Sequence, residues 1–72
     1  MEGLINPFGK IIPQPFILEP NYNNIIRMRN QINWLRETAY WFLIIENDYS
    51  TYWEYENFAN LLSLKIQKFI HG

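Results

Sequence analysis

The side chains able to move a proton or hold a metal are few in this sequence, and their spacing does not suit catalysis. A general acid or base is most often histidine, and the single histidine, His71, stands beside Gly72, where a fraying end is expected. No cysteine is present, so thiolate nucleophiles, thiolate metal sites and disulfides are all excluded. Two carboxylates can act together as acid and base, and Glu46, Asp48, Glu54 and Glu56 are close in sequence. Such a pair needs a substrate cleft, which two helices and an arm hardly provide; a solvated acidic helix end is the simpler reading. Residues 46–57 contain no glycine, against the pattern of a calcium-binding loop, and no glycine-rich segment precedes a helix to cradle a phosphate. The expectation is therefore a protein without a catalytic residue, a cofactor or a metal.

Two other constellations point to binding. Residues 21–36 carry Arg27, Arg29 and Arg36 and no acid, whereas residues 37–57 carry Glu37, Glu46, Asp48, Glu54 and Glu56 and no base. Lys65 and Lys68 follow. Folding the chain back near Asn47 gathers the acids toward the turn and sets the basic segments side by side at the other end. The helix macrodipole favours Glu54 at a helix start and Lys65 and Lys68 at a helix end, but it disfavours Arg27 and Arg29 at a helix start, so an interaction explains them better. Arg29, Asn33 and Arg36 form a polar stripe flanked by Arg27 and Asn30, suited to phosphates, bases or an acidic partner, although a solvated helix face is the simpler reading and three arginines are a weak electrostatic footprint. The second constellation is the window from Glu46 to Asn57, which interleaves acids with Tyr49, Tyr52, Trp53 and Tyr55. Tyrosine and tryptophan are enriched at binding hot spots, and surrounding acids steer such a surface to a basic target. Glu46, Asp48, Tyr49, Tyr52, Trp53 and Glu54 are accordingly the expected partner contacts, with Phe8 and Phe16 from the N-terminal arm.

The elements that carry these residues follow from periodicity. Ile25, Met28, Ile32, Leu35, Ala39 and Phe42 alternate steps of three and four, the seam of an amphipathic helix over about 23–46, with Asn21, Asn23 or Asn24 as its cap. Tyr40 to Ile45 is apolar all round, which implies contacts on more than one face. A polar turn over 47–50 leads to a second helix over about 51–70. Thr51 with Glu54 matches a capping box, Ser50 being the alternative cap. Tyr55, Ala59, Leu62, Ile66 and Phe69 repeat the seam. Residues 1–20 hold all four prolines and so read as an extended arm, yet an apolar one, including Leu4, Ile5, Ile11, Ile12, Ile17 and Leu18. This arm is expected either to pack across its own helices or to lie along a partner.

Length and composition bound the outcome. Seventy-two residues make one domain with a modest core, and the chain holds three Trp, five Tyr and five Phe, too many for a disordered tail. The formal charge of −1 excludes a nucleic-acid binder working through an overall basic field. The longest apolar run, Ala39 to Ile45, is far short of the roughly 20 residues of a membrane span, and no targeting signal is visible, so a soluble, cytoplasmic protein is expected. These observations imply an all-α fold, a two-helix antiparallel hairpin with an extended proline-containing N-terminal arm, completed as a bundle by self-association or by a partner. The leading expectation is a small non-enzymatic binding protein, an accessory subunit or an inhibitor of a larger assembly of the kind viruses and phages use. Its rivals are a structural homodimer forming a four-helix bundle and a weak nucleic-acid binder working through Arg27, Arg29 and Arg36.

Overall fold

The computed structural model describes residues 6–11 and 16–72. Leu4, Ile5 and Ile12 of the arm, and Pro13 and Pro15, lie outside the described residues. Two helices form an antiparallel hairpin, α1 over Ile25–Ile44 and α2 over Tyr49–His71. Among the described residues there is no strand pairing into a sheet, and the fold is all-α.

Helix α1 begins where an asparagine cluster reorganises the backbone. The Asn21 side chain accepts from the Asn23 and Asn24 N–H groups at 2.9 and 3.1 Å, and Asn24 Oδ1 accepts from the Asn21 N–H at 2.8 Å. Asn24 occupies the cap position but makes no side-chain capping bond, its oxygen being taken by Asn21. The helix ends two residues before the expected Glu46. Asn47 takes a left-handed φ of 53°, a conformation asparagine tolerates better than most residues, and the Asp48 N–H turns back to the Phe42 carbonyl at 2.9 Å. Helix α2 starts earlier than expected and with a different cap. Asp48 is the N-cap, accepting from the Thr51 N–H at 3.1 Å and from the Thr51 hydroxyl at 2.7 Å. Thr51 is thus the donor to a cap rather than the cap itself, because an aspartate three residues upstream offers it an ionised acceptor.

The register of the hairpin is set by Phe42 against Tyr55, with ring centroids 5.6 Å apart, and by Arg36 donating to Asn60 Oδ1 at 3.1 Å. Ile32 and Leu35 of α1 join Ala59, Leu62 and Ile66 of α2 in one buried cluster, and Ala39 and Ala59 are fully buried. Of the eleven seam positions, Met28, Ile32, Leu35, Ala39, Ala59, Leu62 and Ile66 are buried. Ile25, Phe42, Tyr55 and Phe69 are half-buried.

The described part of the arm packs on its own helices and supplies a third layer. Gln31, with 0% of its surface exposed, donates from Nε2 to the Ile17 carbonyl at 2.6 Å and accepts from the Ile17 N–H at 2.8 Å. Phe16 stacks on Phe58 of α2 at 5.7 Å, and Glu19 pairs with Lys65 at 2.5 Å. Further upstream the chain is folded back rather than extended. The Asn6 carbonyl accepts from Gly9, the Asn6 N–H donates to the Lys10 carbonyl, and Asn6 Oδ1 accepts from both Phe8 and Lys10. Gly9 supplies the φ of 79° that such a three-residue reversal requires. The Lys10 carbonyl then receives the indole N–H of Trp34 at 3.0 Å, and the Lys10 ammonium meets Glu37 at 2.6 Å. Gln31, Trp34 and Thr38 form the arm-facing row of α1, all buried; the Thr38 hydroxyl is satisfied by the Trp34 carbonyl at 2.8 Å.

Two outcomes test this packing. Leu62→Ala should cost about 2–5 kcal/mol, a large part of the roughly 4–11 kcal/mol available to a domain this size, as read from chemical denaturation. Gln31→Leu strips the Ile17 backbone of both partners and should cost about 1–3 kcal/mol, with faster hydrogen exchange at the Ile17 amide. An unchanged Ile17 exchange rate would show that the arm is held elsewhere.

Candidate functional site

The turn end of the hairpin collects most of the residues expected to touch a partner. It consists of the last turn of α1, the reversal over residues 45–48 and the first turns of α2. Ile44 and Ile45 are exposed because the helix terminates there and no element covers their side of it; their exposures are 66% and 63%. Tyr49 and Trp53 are one turn apart on α2 and so share a face, 60% and 55% exposed. Tyr52 is half-buried, and its ring meets Trp53 edge to face at 5.1 Å. Cover along the apolar stretch Tyr40 to Ile45 is uneven. Trp41, Phe42 and Leu43 are half-buried, while Tyr40, Ile44 and Ile45 face outward.

Glu46 and Glu54 are exposed at the same end. Among the described residues the ion pairs are Lys10 with Glu37 and Glu19 with Lys65, neither of which involves the turn. The negative field of this end is therefore directed outward. Asp48 differs from its neighbours, since its carboxylate is engaged with Thr51. The hydroxyl and then the N–H of Thr51, both donating to the ionised form, hold its pKa below the ordinary 3.8. Asp48 thus builds the tip before it can act on anything else.

The remaining expected contacts fall in different places. Phe8 is exposed within the Asn6–Lys10 reversal, and Phe16 is half-buried against Phe58. The arginines divide. Arg29 and Arg36, seven residues apart, share one face of α1, whereas Arg27 is rotated about 200° from Arg29, in line with the arm-facing Gln31 and Trp34. Arg29 and Arg36 both line a groove of about 310 Å³ between the helices with Ser63, Gln67 and His71. A second groove of about 490 Å³ shares Asn33 and Arg36 and continues to Lys10 and Tyr40. Lys10 and Tyr40 were not among the expected contacts; Tyr40 was hidden in an apolar run, and Lys10 comes from the arm. Among the described residues no cluster of three or more His, Cys, Asp or Glu is suited to a metal ion. Nor, among the described residues, is any helix long and apolar enough to cross a membrane.

The chain was compared with protein-family models, curated proteins and solved structures, and none matches.

The Asp48 cap gives a pH dependence with a definite sign. A carboxylate whose folded pKa is depressed contributes stability above its unfolded value, and this contribution is lost as pH falls through the folded value. Asp48→Ala should lower the melting temperature at neutral pH, and the gap between parent and variant should close as pH drops below about 3.8. A gap of constant size down to strongly acidic pH would mean that the ionised cap contributes nothing.

Proposed function

We propose that the protein is a non-enzymatic binding module that inserts the tip of its hairpin into a partner protein with a basic rim, acting as an accessory subunit or an inhibitor. The observation that supports this most is the joint exposure of Ile44, Ile45, Tyr49 and Trp53 at one end of the molecule, beside outward-directed Glu46 and Glu54. Large apolar side chains at a helix reversal gain nothing for the isolated fold, whereas a hot spot consists of such anchors ringed by polar groups. Tyr52 props Trp53 from behind, which lowers the entropy lost when the indole is buried. The acids supply the long-range part: they accelerate encounter with a basic surface and disfavour acidic ones.

A second reading, the homodimer, is favoured by a different surface. Leu61 and Leu64 are exposed on the side of α2 turned away from its core-facing residues Ala59, Leu62 and Ile66. A second hairpin packed there would make a four-helix bundle. A monomeric mass at the highest concentration the protein tolerates would remove this reading.

The tip is tested with a partner isolated from the native source and studied by binding kinetics. Glu46→Lys with Glu54→Lys should slow association and reduce its salt dependence, with Asp48 left in place so that α2 keeps its cap. Trp53→Ala should speed dissociation, weakening binding by about thirtyfold, or about 2 kcal/mol. Since Trp53 is 55% exposed, its melting temperature should change little. Binding unaltered by both variants would sink the tip as the interface.

A further inference from the structure

The grooved face on the arginine side of the hairpin, away from the tip, has a composition of its own. On α1, Arg29, Asn33, Arg36 and Tyr40 follow each other at spacings of four, three and four, which keeps all four within a narrow strip of the helix surface. Arg29, Asn33 and Tyr40 are exposed, Tyr40 by 57%. The strip is about 16 Å long at the rise of an α-helix. Arg36 spends one N–H on a neutral acceptor, Asn60 Oδ1, and no carboxylate meets either guanidinium among the described residues. From α2, Gln67 and His71 border the strip, and the arm brings Lys10 to its other side. Among the described residues lining these grooves the one acid is Glu37, which pairs with Lys10 at 2.6 Å. Cationic forks, side-chain amides and an open aromatic ring thus line two adjoining grooves.

We infer that this face binds a short stretch of single-stranded nucleic acid, with Arg29 and Arg36 on successive phosphodiesters and a base stacked on Tyr40. Guanidinium groups match phosphate oxygens in a planar, bidentate geometry that a lysine ammonium does not offer. An unpaired base has a free π-face for Tyr40, while the amides of Asn33 and Gln67 can reach base or sugar edges. A duplex would offer no such base, and a strip of about 16 Å accommodates only two or three nucleotides of an extended strand. The net charge of −1 does not oppose this, because Glu46, Asp48, Glu54 and Glu56 lie toward the turn and Glu37 is paired with Lys10. Arg27, on the arm-facing side, takes no part. This inference uses none of the tip residues and stands or falls apart from the tip reading.

Fluorescence anisotropy with labelled hexamers of uridylate and of thymidylate tests it, on the whole chain at low salt. Saturable binding is expected with both probes, weaker with a duplex of equal length. Arg29→Ala with Arg36→Ala should lower affinity by tenfold or more, and should flatten the dependence of log affinity on log salt by about 1.4, two phosphates at about 0.7 each. Tyr40→Ala should cost about fivefold or more while leaving the salt slope unchanged, a split that mere loss of folding would not produce. Circular dichroism checks each variant, and Arg29→Ala alone, which leaves the Arg36–Asn60 bond intact, serves if the double variant melts. Trp53→Ala should bind the hexamers like the parent. The inference is overturned by an absence of saturable binding, by equal affinity after the arginine or tyrosine substitutions, or by polyglutamate competing as well as an oligonucleotide of equal charge. The last result would reassign the face to an acidic peptide.

Discussion

The fold depends on one buried amide. A hairpin of two helices can cover one face of each, and a domain this small needs more apolar burial than that to be stable. The arm provides the extra layer, and Gln31 is what holds it there. A glutamine with no exposed surface is costly unless both ends of its amide are satisfied, and Ile17 satisfies both with its own N–H and carbonyl. The side chain thereby does for the arm what a neighbouring strand would do, pinning the main chain rather than any particular side group. With Ile17 fixed, Phe16 is delivered to Phe58, Glu19 to Lys65, and the upstream reversal to Trp34 and Glu37.

This constraint also explains what could be read from sequence and what could not. The interhelical seam was legible because Met28, Ile32, Leu35, Ala39, Ala59, Leu62 and Ile66 are all apolar and correctly spaced. The second buried row of α1 was not, since Gln31 and Thr38 look like surface residues and their partners are main-chain atoms, which carry no sequence signal. Trp34 alone hinted at it. Position and type of the second helix were legible, but its cap was not: Thr51–Glu54 and Asp48–Thr51 both fit a capping pattern, and only the backbone course after Asn47 selects the aspartate. Of the residues proposed to bind, Tyr49 and Trp53 were legible by type. Tyr40 stands four residues from Arg36, which the sequence shows, but its exposure within an apolar run does not follow from it, and the place of Lys10 depends on the arm's path.

Chain reversal at Asn47 converts a linear order of charge into a spatial one. Acids and aromatic rings meet at the tip, while arginines meet the C-terminal part of α2 at the other end. The arm softens this separation without abolishing it, since each of its pairs joins opposite charges: Lys10 with Glu37, and Glu19 with Lys65. Such exposed pairs add little stability, so their main effect is on the field the surface presents.

The Gln31 clasp also has a meaning for biosynthesis. The arm precedes α1 in the chain, so Ile17 emerges from the ribosome before the helix row that shelters it. Ile17 must wait for Gln31, fourteen residues later, which at ordinary elongation speeds is about 1–3 s. Glu19 waits for Lys65, forty-six residues later. During that interval the nascent arm offers an apolar, unpaired main chain to whatever is near, including chaperones and sister chains on the same messenger.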